Sequence, residues 1–311
     1  MVKKYFDPTI EAIHIYNDYS CLKRGKSCTG KLVHYTTLKG CLGIIDNRLL
    51  YAKLVTEFKN DENEGVVSLR NTLDLINREI IKISLEEEKI IKGKLEKKES
   101  IKNFAEKFPT YVTCFCSNLK SDYMEKKFHS DAVNEGTECK IIFAENKIYN
   151  NLYLLQKEDH TPKYSCIDLR KVIYDVDEQK KILEEEIKKL WNALEKCKDL
   201  WPTERRIELL LSKAYYLGTY FKIPNPAKKI SAEEEEVRAT ANIAIEEEED
   251  EKGRGFLPEK FDDGKRINLH FDLECVEKVA ILKSQNVNPE EKILIDNIEK
   301  MCKKNDVVFE R

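Results

Sequence analysis

Lys31 to Gly65 reads KLVHYTTLKGCLGIIDNRLLYAKLVTEFKNDENEG, and it packs a strand, a helix, a second strand and a polar cluster into one short stretch. Lys31 to Thr36 is a short apolar run that ends on His34, Tyr35 and Thr36, as a strand does. Leu38 to Asp46 spaces Leu38, Leu42 and Ile45 on one helical face. Leu49 to Val55 then reads as a second strand and carries Tyr51. Asn60, Asp61 and Glu64 follow, either as a helix cap with an acid in its first turn or as site residues. Polar groups that end a strand are held by a rigid scaffold and are placed to face a pocket.

Outward from this unit the pattern alternates between helical blocks and strands. From Glu62 to about Lys107, Val66, Leu69, Leu73 and Ile76 recur at spacings of three and four, which predicts an amphipathic helix. Ile80, Ile83 and Ile90 continue the stripe, and Gly93 predicts a break between two helices. Thr110 to Ser117 and Glu138 to Ala144 read as strands and are expected to be sheet neighbours. Cys166 to Tyr174 is a further strand. Residues 177–221 form a second helical block, and Pro202 makes it a hairpin. Val237 to Ile245 reads as a strand between two acidic runs. The tail predicts strands at Ile267 to Phe271 and Val276 to Leu282, a helix at Asn288 to Lys304 and a last strand at Val307 to Phe309. No internal repeat or long linker interrupts the chain. The expectation is an α+β fold with a mixed, mostly antiparallel sheet core and long helical insertions at about 62–108 and 177–221. Residues 1–29 form a lead-in with a short helix around Ile10 to Tyr19, and residues 30–311 form a single domain.

Composition narrows the function classes. With 54 basic and 57 acidic residues the net charge is −3, which argues against a surface built to coat nucleic acid. No secretory leader is expected from the N-terminal residues, and no run approaches the roughly 20 apolar residues of a membrane span. Ten cysteines without an exported context read as reduced thiols, so the expected location is cytoplasmic and no membrane is involved. Cys114 and Cys116 point the same way on a strand, yet no second Cys/His pair follows at zinc spacing, and no metal is expected. Walker, GxGxxG, HExxH and GxSxG motifs are absent from the sequence.

The remaining polar set is His34, Tyr35, Thr36, Tyr51, Asn60, Asp61, Glu64, Ser117 and the group Glu233 to Arg238. In the latter, Glu234, Glu236 and Arg238 share a side if a strand has begun. Adjacent carboxylates most often form a solvated run. Arg238 either pairs with Glu236 or binds a phosphate.

In order, HYT, NDxxE, CFCS, EGTECKIIFA, FKIP and EEEVR resemble the prokaryotic family known as domain of unknown function 2971. The likeness runs from Lys31 to Arg238 and extends into the tail at VEKVAILK. Three positions depart from it. Glu62 stands where the family has a proline, Cys116 replaces a Phe or Ser, and the loop Asp122 to His129 lacks a tryptophan after Met124. A more distant likeness is to the His-Tyr-Glu ADP-ribosyltransferases. That resemblance implies NAD as substrate, with His34 on the adenosine ribose, Tyr51 stacked on nicotinamide and Glu236 beside the scissile bond. Thr36 would add a hydrogen bond, and Tyr35, Asn60, Asp61, Glu64, Ser117 and Arg238 would line the site. A carboxylate there stabilises the oxocarbenium-like charge that develops as the N-glycosidic bond breaks.

The resulting expectation is ADP-ribosyl transfer to a macromolecular acceptor, protein or nucleic acid, or NAD hydrolysis, in stress response or phage defence. The alternative is a non-catalytic ligand-binding or regulatory module on the same fold. Nucleic-acid processing around Lys92, Lys94, Lys97 and Lys98 is the weakest reading, because glutamates interleave them.

Overall fold

A computed structural model describes residues 7–22, 30–57, 64–78, 81–95, 103–104, 107–121, 124, 139–155, 162–163, 167–223, 232–242, 265–282 and 287–311. In chain order the helices are α1 (Pro8–Asn17), α2 (Leu38–Asn47), α3 (Glu64–Asn77), α4 (Leu85–Leu95), α5 (Glu145–Asn151), α6 (Val176–Glu195), α7 (Thr203–Gly218) and α8 (Pro289–Lys304). The strands are β1 (Lys31–Thr36), β2 (Leu49–Leu54), β3 (Thr110–Cys116), β4 (Cys139–Ala144), β5 (Leu154–Leu155) and β6 (Pro162–Lys163). They continue with β7 (Ile167–Lys171), β8 (Glu236–Asn242), β9 (Arg266–His270), β10 (Val276–Ile281) and β11 (Val308–Glu310). The fold mixes helices with a mostly antiparallel sheet.

The chain divides into two compact units. The first, Met1–Lys23, Val55–Thr110 and Ile173–Ile223, is helical. Both stretches expected as helical insertions belong to it. Its helices bury Ile187, Leu190, Trp191, Leu194, Ile207 and Leu210. Arg206, itself buried, ties Glu87 at 2.7 Å to Glu195 at 2.6 Å. α3 ends at Asn77 and α4 begins at Leu85, so Gly93 lies inside α4 and does not mark the break expected there. Ser84 and Glu87 set the start of α4. The Ser84 hydroxyl accepts from the Glu87 amide at 3.3 Å and the Glu87 carboxylate accepts from the Ser84 amide at 2.8 Å, a capping box that starts a helix there.

The second unit, Arg24–Leu54, Tyr111–Val172 and Pro224–Arg311, carries the sheet. Its strand order is β11-β10-β4-β1-β3-β2-β9, and β8 joins β3 and β7. Every described register is antiparallel except that of β10 with β11. β3 and β4 are therefore not neighbours as expected, since β1 lies between them. β3 has three partners, and because a strand has two edges the sheet forks there. β1 reaches it at Cys116, and β2 at Val112 and Tyr111.

α2 begins where the Thr37 hydroxyl accepts from the Gly40 amide at 3.0 Å, and it ends at Arg48 in a left-handed conformation. Its buried positions are Leu38, Cys41, Ile44 and Ile45. α8 starts with a full capping box between Asn288 and Glu291, with Pro289 in its first turn. The apolar side chains of α2 and α8 join Leu32, Leu50, Phe115, Phe143, Ala239 and Leu269 in one core on one face of the sheet.

Candidate functional site

Side chains alternate along a strand, and directly paired residues share a face. These two rules sort the expected site residues. Leu32, Leu50, Ala52, Phe115, Ile141, Val237 and Ala239 all belong to the main core and define the core face. His34 and Thr36 lie on it, being paired with Ile141 and Cys139. Val33, paired with Cys116, and Tyr35 lie on the opposite face and pack with Ile142, Leu119 and Met124. Tyr51 and Lys53 alternate with Leu50 and Ala52, so they share that opposite face, as do Glu236, Arg238 and Thr240. The sheet thus brings Tyr35, Tyr51, Glu236 and Arg238 to one face and His34 and Thr36 to the other. His34, Tyr51 and Glu236 do not meet across it.

His34 is held by its frame. Its ring lies 5.9 Å from Phe115 in an edge-on arrangement, and Nδ1 stands 2.9 Å from the Cys114 carbonyl. A carbonyl only accepts, so Nδ1 donates and Nε2 carries the lone pair. Desolvation favours the neutral ring and pushes the imidazole pKa down, opposed in part by that hydrogen bond, which favours the protonated form. Thr36 packs on the first turn of α2, where a Cβ at Gly40 would overlap its Oγ1.

The opposite face is polar and partly buried. Glu236 and Arg238, 6% and 3% exposed, form an ion pair in which Nε donates to Oε1 at 2.7 Å and Nη2 reaches Oε2 at 3.5 Å. One strand over, Arg170 Nε donates to both Asp168 oxygens at 2.8 and 3.0 Å. Arg170 sits directly opposite Arg238, and Asp168 opposite Thr240. An acid, one spacer and an arginine thus recur on both strands, each cation next to its own carboxylate.

The chain enters β8 through a strained residue. Ala232–Glu234 is a 3₁₀ turn, and Glu235 has φ of 42°, rare for a side chain other than glycine. Ser117 secures it. The Ser117 amide and hydroxyl donate to the Glu235 carbonyl at 3.0 and 3.1 Å, and the hydroxyl also reaches the Glu235 carboxylate at 3.2 Å. Asn118 Nδ2 donates to the same carboxylate at 3.3 Å. Ser117 therefore acts on the turn that presents Glu236. Burial and the nearby carboxylates of this turn push the Cys116 thiol up to about 11, leaving it protonated and unreactive at neutral pH.

Asn60 and Asp61 lie outside the described residues, as does the Glu64 side chain. Four polar-face residues were missed from the sequence. Arg170, Lys53, Arg266 and Asn268 carry no motif, and only the register puts Arg170 opposite Arg238, Lys53 opposite Arg266 and Tyr51 opposite Asn268. A cavity of about 590 Å³ lies in the helical unit, lined by Lys82, Lys188, Trp191 and Glu195 among others. Among the described residues no group of acidic, histidine and cysteine side chains is placed to hold a metal, and no helix is long and apolar enough to cross a membrane. Comparison of the chain with protein-family models, with curated proteins and with solved structures returned no match.

Proposed function

We propose that the polar face of the sheet binds a nucleotide and that the chain consumes NAD, by ADP-ribosyl transfer to a macromolecular acceptor or by hydrolysis. The carrying observation is a buried carboxylate, Glu236, on the face that also presents Tyr51 and several cations. Cleavage of the nicotinamide–ribose bond builds positive charge on the sugar. A fixed carboxylate stabilises that charge, and Arg238 at 2.7 Å keeps Glu236 in one place. Tyr51 offers an aromatic surface for the departing ring. His34, on the core face, is assigned a structural role and not the ribose contact that the transferase resemblance implied.

The test is nicotinamide release from NAD by the full chain, with and without protein and nucleic-acid acceptors. Glu236→Gln is expected to lower the rate by about 10²–10³-fold, as loss of a transition-state electrostatic group does. No NAD turnover by wild type across the acceptors would overturn the reading.

A second reading has its own support. Arg238 already neutralises Glu236, and His34 is turned away, which suits a non-catalytic ligand-binding module. In that case NAD or a related nucleotide binds wild type and Glu236→Gln alike without turnover.

A further inference from the structure

We infer that the cavity in the helical unit binds a small phosphomonoester, with the phosphate on Lys82 and Lys188 and the body of the ligand against Trp191 and Ile81. The site stands on the helical unit alone and does not rest on the NAD reading. Its volume of about 590 Å³ falls within the range of about 300–1,000 Å³ that holds small ligands. The walls are fixed by contacts of their own. Trp191 Nε1 donates to the Lys82 carbonyl at 2.9 Å, which ties the chain before α4 to α6. Buried Arg206 stands 5.5 Å from the Trp191 ring and donates to Glu195 at 2.6 Å, so two lining residues share one anchor. Trp191 and Ile81, 3% and 2% exposed, supply the apolar part of the lining.

The charged lining selects the ligand. Glu184 and Lys188 both line the cavity and lie four apart on α6, the order and spacing at which a glutamate and a lysine ordinarily pair. The same spacing does close at Glu88–Lys92 on α4, at 2.5 Å, and at Glu299–Lys303 on α8, at 2.9 Å. Glu184 and Lys188 have no ion-pair partner among the described residues, and neither does Lys82. Two positive charges and one negative charge are therefore left for whatever enters the cavity. A phosphomonoester carries close to two negative charges at neutral pH, which two lysines match, and lysine binds phosphate as a point charge. Glu184 then accepts from a hydroxyl or amine on the body of the ligand. A bare anion leaves Trp191, Ile81 and Glu184 unused, and an uncharged ring leaves both lysines unused. Mononucleotides and sugar phosphates share the required chemistry.

Trp191 reports on the cavity directly, because Trp201 is the other tryptophan of the chain and Trp201→Phe leaves a single emitter. The full chain carrying Trp201→Phe is titrated with AMP, ribose 5-phosphate, adenosine and inorganic phosphate at constant ionic strength. A phosphomonoester is expected to change the Trp191 emission saturably. Tighter binding of AMP identifies a mononucleotide, and tighter binding of ribose 5-phosphate a sugar phosphate. Lys82→Met and Lys188→Met are each expected to weaken that binding about tenfold, the equivalent of about 1.4 kcal/mol. Adenosine should bind at least about tenfold more weakly than AMP, and added salt should weaken the unsubstituted lysine pair more than either variant. Both lysines are exposed, so the variants should melt as the parent does, which circular dichroism checks. Saturation by neither phosphomonoester, binding unmoved in both lysine variants, or adenosine binding as tightly as AMP overturns the site. Inorganic phosphate that binds as tightly as both phosphomonoesters overturns the role of the ligand body. Lysine-dependent AMP or ribose 5-phosphate binding in a chain that does not turn over NAD keeps this site and removes only the proposed reaction.

Discussion

Removing Arg238 while leaving Glu236 tests whether the polar face is organised around their ion pair. At 2.7 Å and an effective dielectric of about 20, the attraction is about 6 kcal/mol. Taking both ions out of water offsets several kcal/mol for each, so the pair as a whole contributes little net stability. Breaking it is different, because the remaining charge keeps its desolvation cost. Loss of one partner of a buried pair costs about 3–5 kcal/mol. Only one arm of the pair is short, the other being 3.5 Å, which places Arg238→Met near the lower end at about 3 kcal/mol. Glu236→Gln leaves an uncharged acceptor for the guanidinium and is expected to lose about 1–2 kcal/mol. The double variant Glu236→Leu/Arg238→Met removes both charges and should return to within about 1 kcal/mol of wild type. Urea denaturation followed by far-ultraviolet circular dichroism measures all four proteins. If Arg238→Met loses under about 1 kcal/mol, or if the double variant loses more than Arg238→Met alone, the pair is not the organising contact.

Three further outcomes follow from other parts of the molecule. Gly40→Ala should cost about 1 kcal/mol, since steric overlap with Thr36 Oγ1 outweighs the helix-propensity gain, and Thr36→Ala should turn the same change stabilising; thermal melts that show no sign reversal would reject the contact. His34 has a folded pKa pushed down by burial, so the unfolded chain takes up its proton first; stability is present above about pH 6.5 and falls as pH drops through it, and His34→Gln should flatten that slope between pH 7.5 and 5.5. Lys213, fully buried on α7, donates to the carbonyls of Ile15, Tyr16 and Asp18 at the end of α1, lies 3.8 Å from the Tyr19 ring and has its pKa lowered by desolvation to about 8. Lys213→Met should lose about 3 kcal/mol near neutral pH by orphaning those carbonyls. Because the folded lysine gives up its proton first, wild type should gain on the variant as pH rises from about 8 towards 10.5, and a constant difference across that window would refute the burial of the charge.

Local rules within the chain determined much of this architecture. The apolar runs and turns of Lys31 to Gly65 were enough to place β1, α2 and β2, and the Asn288–Glu291 cap was enough to start α8. Alternation alone set Glu236 and Arg238 on one side, because residues two apart on a strand must share a face. The Ser84-x-x-Glu87 cap was equally legible and outweighs Gly93 as a helix signal, since it satisfies amides that a mid-helix glycine leaves unaffected.

Only the tertiary structure decided which strands pair and therefore which faces meet. β1 lies between β3 and β4, which sets His34 against Phe115 and turns it away from Tyr51. Lys53 and Arg266, and Tyr51 and Asn268, are separated by more than 200 positions, and nothing local marks them as partners. Arg170 likewise gains its meaning from the register that opposes it to Arg238. A one-residue slip in any of these pairings would move every side chain of the strand to the other face. Face and register are cooperative properties of the whole sheet, fixed by burying Leu50, Ala52, Ile267 and Leu269 together, and they are what assembles scattered polar residues into a site.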